Sequence, residues 1–169
     1  MPLVVYADFN CPFSALASHR IDRAGLEVDF RAVEHDKELP LDGRAMVGGD
    51  RAKLEEEVEH VRSLATADDA GFELRIPEVL PNTETMCAAY ASTPTADLRR
   101  ALFDAVWRAG PATAAEVTTD GSSRHQQWQA AWDAFGDKKI VPLLVLEDGT
   151  VSRGLGALKR LAEGRSTEL

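Results

Sequence analysis

The chain reads as an α/β protein in which two blocks of strand and helix flank a long helical middle. One observation is a β-α-β pattern over residues 3–33, and a second is a β-β-α pattern over residues 140–164. The third is the stretch between them, where apolar residues recur at helical spacing. Residues 1–36 and 138–169 are therefore expected to form one α/β domain, with residues 37–137 as an all-helical insertion. The sequence contains no repeat, low-complexity tract or long linker that would separate independent domains.

The opening run LVVYA, residues 3–7, is short and apolar and is bounded by Asp8 and Asn10, which marks it as a strand. Pro12 suits the first turn of a helix, where its missing N–H would have no partner anyway. Phe13, Leu16, Ala17, Ile21 and Ala24 keep helical spacing, and Gly25 closes the run. Val28, Phe30 and Ala32 then alternate with charged residues in a second strand. Cys11 thus falls at a strand-to-helix turn.

In the middle, Leu54, Val58, Val61, Leu64 and Ala65 make an apolar stripe that Gly71 is expected to close. Asn82 is placed to cap a short helix in PNTETMCAAYAS. Thr95 is placed to cap the next, whose Leu98, Leu102, Ala105, Val106 and Ala109 face inward before Gly110 and Pro111 stop it. Ser122 or Ser123 caps a further helix, with Trp128, Trp132 and Phe135 on one side. The end returns to strands: IVPLLVL, an Asp148-Gly149 hairpin turn and a short partner strand. A last helix, ALKRLAEG, ends at Gly164, and STEL is expected to fray.

A formal net charge of -9 argues against nucleic acid and anionic membranes as partners, because both need clustered Lys and Arg. No apolar run approaches the roughly 18 residues of a membrane span. The start MPLVVYAD lacks a basic leader and a cleavage site, so a cytoplasmic location is expected. Two cysteines and four scattered histidines give neither a disulfide scaffold nor zinc-ligand spacing, so no metal is expected.

At a helix N-terminus, the positive end of the helix dipole and the unpaired N–H groups both favour thiolate over thiol. Cys11 is accordingly expected to be reactive, with its pKa lowered from about 8.5; the alternative is an inert buried cysteine. Pro142, after Val141, stands at the head of the LLVL strand, where proline is tolerated and a cis bond can aim the chain.

CPFS after the first strand, PNTETMCAAYA in the helical insertion, the IVP strand and the closing GALKRL helix resemble the DsbA-like thioredoxin-fold superfamily over nearly the whole chain. That superfamily includes cytoplasmic DsbA-like oxidoreductases, kappa-class glutathione transferases and 2-hydroxychromene-2-carboxylate isomerases. The resemblance implies a thioredoxin fold, β-α-β followed by β-β-α, carrying the helical insertion. It assigns Cys11 to the attacking cysteine of the oxidoreductases, which is also the catalytic serine position of the isomerase and transferase branch. Ser14 stands where the oxidoreductases keep their resolving cysteine, and Pro12 follows the nucleophile. Pro142 matches the cis-proline beside the active-site turn, with the Val141 backbone available to an extended substrate such as a peptide or glutathione. Asn82 and Thr83 match the helix start that borders the ligand groove.

With Ser14 in place of a thiol, Cys11 can form a mixed disulfide but cannot complete a dithiol cycle within the turn. The leading expectation is therefore a cytoplasmic DsbA-like thiol-disulfide oxidoreductase working through one cysteine. Its substrate would be a disulfide-bearing protein or small thiol. No cofactor would be tightly bound, and glutathione or mycothiol would serve as cosubstrate. A glutathione-dependent isomerase or transferase is the first alternative, and a non-catalytic thioredoxin-fold binding module is the second. The resemblance also leaves room for a homodimer. Cys87 reads as a small buried hydrophobe, His35 as a surface loop residue in a loop that can border the site, and His19 as too far down the helix to activate the thiol. Arg124 and Arg153 read as solvated surface residues ahead of holding a glutathione carboxylate, and Trp128 and Trp132 as core ahead of walling the groove.

Overall fold

The structure, a computed structural model, describes residues 2–112 and 115–164. The expected fraying of STEL lies outside the described residues. The first strand, β1 (Leu3–Ala7), leads through the Cys11 turn into α1 (Pro12–Ala24), and β2 (Val28–Ala32) returns parallel to β1 with Ala7 opposite Ala32. At the other end of the chain, β5 (Leu143–Val145) pairs antiparallel with β1, and β6 (Val151–Arg153) pairs with β5. The four-stranded sheet therefore runs β2-β1-β5-β6, and α6 (Leu155–Ala162) packs on α1. This is the expected thioredoxin arrangement.

Because strand side chains alternate between faces, β1 feeds two cores. Leu3, Val5 and Ala7 join Phe9, Leu16, Ile21, Leu158 and Leu161 in one. Tyr6 points the other way, into a second core with Cys11, Val33, Trp132, Val141 and Leu143. The thiol thus sits in an apolar cluster on the far face of the sheet from the main core.

The insertion departs from the all-helical expectation. Between β2 and the later helices, β3 (Arg44–Ala45) and β4 (Val79–Leu80) form a short antiparallel ladder around α2 (Gly48–Leu64). Gly43, at φ +85, lets the chain approach Leu80, where a Cβ would meet the Leu80 carbonyl.

The second helix also stops well before Gly71. Its last carbonyl, that of Leu64, accepts a hydrogen bond from Arg20 at 2.9 Å. Arg20 in turn holds the buried Asp69 at 2.8 Å, and Asp69 closes a capping box with Thr66. One buried cation from α1 therefore ends α2 and starts the following single turn, an influence the apolar stripe does not reveal.

The remaining helices are α3 (Glu84–Ser92), α4 (Ala96–Trp107) and α5 (Thr119–Asp133). Thr95 caps α4 as expected, its hydroxyl accepting from the Leu98 N–H at 3.2 Å. Ala109 lies beyond α4, exposed and at φ 52, while Phe103 and Trp107 supply the inward bulk instead. The start of α5 is capped by Thr118, ahead of Ser122 and Ser123, with the Thr118 hydroxyl accepting from Gly121 N–H at 2.9 Å. A Cβ at Gly121 would run into Ser92, so the small residue lets α5 lie against α3. Both helices touch β2, which brings the insertion over that edge of the sheet.

Candidate functional site

Cys11 is the N-cap of α1, with Pro12 in the first helical position. Its backbone N–H donates to the Asp8 carbonyl at 3.2 Å, which makes the tight turn out of β1. From α4, Trp107 Nε1 donates to the Phe9 carbonyl at 2.8 Å and anchors the loop just before the cysteine. Across the second core lies Val141, joined to Pro142 by a cis peptide bond. Cys11, Pro12, Ser14 and the Val141-Pro142 pair thus come together.

The state of the thiol differs from expectation. Cys11 is only 6% exposed, and burial pushes its pKa up to about 11; hydrogen bonds from the Ser14 hydroxyl and nearby N–H groups oppose this, and the Asp8 charge reinforces it. The helix N-terminus acts locally in favour of thiolate, but desolvation by Tyr6, Val33, Trp132 and Val141 outweighs it. Ser14 is fully buried, and its Oγ accepts the Asp8 N–H at 3.3 Å, so it ties the turn together as well as touching the thiol.

Asp8 is the hub of the site. It is 1% exposed, and each carboxylate oxygen has a partner. The Thr83 hydroxyl donates to Oδ1 at 2.6 Å. His35 approaches Oδ2 twice, with its backbone N–H at 2.9 Å and its ring Nδ1 at 2.6 Å. Burial pulls the His35 pKa down, but the Asp8 hydrogen bond and charge more than reverse this, leaving it raised. His35 and Cys11 line one cavity of about 170 Å³, together with Pro12, Arg44, Lys53 and Glu57.

The sequence reading gives Asp8 no site role and places His35 only in a loop that can border the site. A signal was present: β1 and β2 run parallel, so the residues just past their C-terminal ends, Asp8 and His35, emerge side by side.

Thr83, rather than Asn82, is the N-cap of α3, and it enters the site through Asp8. Asn82 still holds the first turn, its Oδ1 accepting the Glu84 N–H at 3.0 Å while its Nδ2 donates to the Leu39 carbonyl at 2.9 Å. It borders a wider groove of about 780 Å³ between the loop after β2 and helices α3 and α5. There Gln129 grips the Glu34 backbone from both sides, at 2.8 and 3.0 Å, and His125 Nε2 lies 3.8 Å from the Glu34 carboxylate.

Cys87 is fully buried in the main core, with its thiol pushed well above the usual range by desolvation, and both cysteines are free. His19 packs on Phe72, away from the thiol. Arg124 is occupied by the Ala91 carbonyl. Among the described residues no cluster could hold a metal ion, and no helix is long and apolar enough to cross a membrane.

The family model of the DSBA-like thioredoxin domain matches residues 2–137. The chain belongs to that family. Among solved structures it is similar to a 2-hydroxychromene-2-carboxylate isomerase, at 18% identity and TM-score 0.65, covering 95% of this chain and 91% of the other. It is also similar to a probable DsbA oxidoreductase from Streptomyces coelicolor, at 14% identity and TM-score 0.67, covering 99% and 92% respectively. No curated protein matches it in sequence. At such identities the two structures establish the shared DsbA-like thioredoxin fold, and they carry one isomerase and one oxidoreductase.

Proposed function

We propose that this DSBA-like protein is a monothiol oxidoreductase that exchanges disulfides through Cys11. The observation that carries the reading is the placement of Cys11: at the N-cap of α1, packed with Val141 ahead of cis-Pro142, and on the wall of a small cavity. In the first step Cys11 Sγ attacks one sulfur of a bound disulfide RS–SR′. The Cys11–SR bond forms, the S–S bond breaks, and R′S⁻ leaves and takes up the proton lost by Cys11. In the second step a small thiol attacks the mixed disulfide and regenerates Cys11, since Ser14 offers no internal thiol and Cys87 is sealed in the other core. A glutathione-type thiol fits that role.

The test is intact mass after incubation with glutathione disulfide. One glutathione adduct is expected on the wild type and on Cys87→Ala, none on Cys11→Ala, and the adduct is expected to be released by reduced glutathione. An unmodified wild-type protein would refute the reading.

A second reading is favoured by the raised Cys11 pKa. A thiol that stays protonated can donate its S–H to a thiolate bound in the cavity, as a hydroxyl would in a glutathione-dependent isomerase or transferase. Saturable binding of reduced glutathione with no adduct from the disulfide would select that reading.

A further inference from the structure

We propose that His35, oriented by Asp8, is the acid–base catalyst of sulfur exchange at Cys11. The inference rests on the monothiol reading above and supplies the step that reading leaves open: where the proton goes. With its pKa near 11, Cys11 is almost entirely protonated at neutral pH, and only the thiolate is a competent nucleophile. A base within reach of the cavity is therefore required.

The groups facing the cavity narrow the choice. Asp36 comes from the loop after β2, Arg44 from β3, and Asp50, Lys53 and Glu57 from α2. Of the side-chain types on the cavity, only imidazole ordinarily exchanges its proton near neutrality. Asp8 is itself excluded as the base, because both its oxygens are engaged by Thr83 and His35 and it is almost fully buried.

Asp8 instead fixes the ring. With Nδ1 hydrogen-bonded to Asp8 Oδ2 at 2.6 Å, the neutral imidazole carries its proton on Nδ1 and keeps the Nε2 lone pair free. The His35 side chain is 36% exposed and lines the cavity, and among the described residues Nε2 makes no hydrogen bond. The arrangement has the three parts that nucleophile activation needs: a nucleophile, a base on the same cavity and a buried carboxylate behind the base. Asp8 also donates its backbone N–H to Ser14, which contacts the thiol, so one network holds both reacting groups.

The proton balance is simple. As Cys11 Sγ attacks the nearer disulfide sulfur, Nε2 takes the Sγ proton, directly or through one water. The S–S electron pair leaves on R′S⁻, which takes the same proton back from Nε2 and departs as R′SH. Resolution runs the steps in the opposite sense, with the incoming small thiol losing its proton to Nε2. No oxidant or reductant beyond the disulfide and the thiol is consumed.

The facing charges set the pH range. Asp8, Asp36 and Glu57 favour the imidazolium, and they raise the His35 pKa above its usual 6.5 despite burial. The attack rate should therefore climb as His35 loses its proton, well below the pKa of the thiol itself.

The experiment is the rate of glutathione adduct formation from glutathione disulfide across about pH 5 to 10, in wild type, His35→Gln and Asp8→Asn. Wild type is expected to show an inflection above ~6.5 that matches the His35 titration followed by proton NMR in the same protein. His35→Gln should lose that inflection and react about 10²-fold more slowly at neutral pH. In Asp8→Asn the inflection should move toward lower pH. An adduct that forms in wild type with the same profile in His35→Gln overturns the role of His35 and leaves the monothiol reading standing. No adduct on wild type at any pH overturns both. The NMR comparison decides the matter even where a variant folds poorly, because a kinetic inflection away from the His35 titration is also contradictory.

Discussion

Glu34 and His35 are neighbours in the chain, yet each belongs to a different histidine–carboxylate pair with a different outcome. His35 touches Asp8 at 2.6 Å, its ring is partly exposed, its carboxylate is buried, and its pKa is raised. His125 lies 3.8 Å from Glu34, its ring is 8% exposed, its Nε2 has no hydrogen-bond partner among the described residues, and its pKa is lowered, burial being the main cause. Both rings sit in acidic surroundings. The difference is the partner: a carboxylate hydrogen bond at close range offsets desolvation, whereas a neutral hydrogen bond with Gln129 and a carboxylate beyond hydrogen-bond reach do not. One pair is built to hold a charge that comes and goes, and the other keeps a neutral ring wedged beside α3 and β2.

The largest expected effect breaks the comparison if it fails. Cys11→Ala should abolish glutathione adduct formation completely, while His125→Gln should leave its rate within about twofold, as expected for a residue outside the reacting network. Mass spectrometry of the two variants side by side decides it. A large loss in His125→Gln would move the chemistry to the wrong pair.

Next comes Asp8→Asn. It removes the charge from a buried carboxylate that accepts three hydrogen bonds, and the replacement amide must direct N–H groups toward a donor. A stability loss of about 2–3 kcal/mol is expected from urea unfolding. Thr83→Val, which deletes one of those donors, should cost about 1 kcal/mol.

The two histidines should also give stability slopes of opposite sign with pH. His35 binds its proton more tightly folded than unfolded, so its contribution is fully present below about 6.5 and is lost as pH rises through its raised folded pKa. His125 binds its proton less tightly when folded, so stability is lost as pH falls from about 6.5 toward its depressed folded pKa. Urea midpoints followed against pH should show a shallower falling limb in His35→Gln and a shallower rising limb in His125→Gln, where His19, also lowered by burial, still contributes. Slopes of the same sign would contradict the contact argument.

The smallest effect is assigned to Glu34→Gln. Its carboxylate makes no hydrogen bond to His125, and the backbone grip of Gln129 does not depend on the side chain. Less than about 1 kcal/mol is expected in the same unfolding assay.

What the sequence disclosed follows the range of each interaction. Cys11 at a strand-to-helix turn, Pro12 in the first helical turn and Pro142 at a strand head are local patterns, and all were readable. So was the order of strands and helices that makes the thioredoxin fold, because apolar periodicity is local too. Asp8 and His35 meet only because β1 and β2 lie parallel and in register, a pairing between residues far apart in the chain. The high pKa of Cys11 has the same origin: the dipole that favours thiolate belongs to α1 alone, while the residues that dry the thiol come from β1, α5 and the loops after β2 and before β5. The early end of α2 depends on Arg20 reaching across from α1. The start of α5 was misplaced for a local reason, since Thr118 and the two serines offer competing caps within a few residues.

Cys11 rests protonated and needs His35 to lose its proton. The most direct measurement is an ultraviolet titration of thiolate absorbance in the Cys87→Ala protein, where Cys11 is the only thiol. Absorbance is expected to rise only well above the ordinary ~8.5 of a free cysteine. A midpoint below ~8.5 would contradict it, because the nucleophile would then be formed without any base.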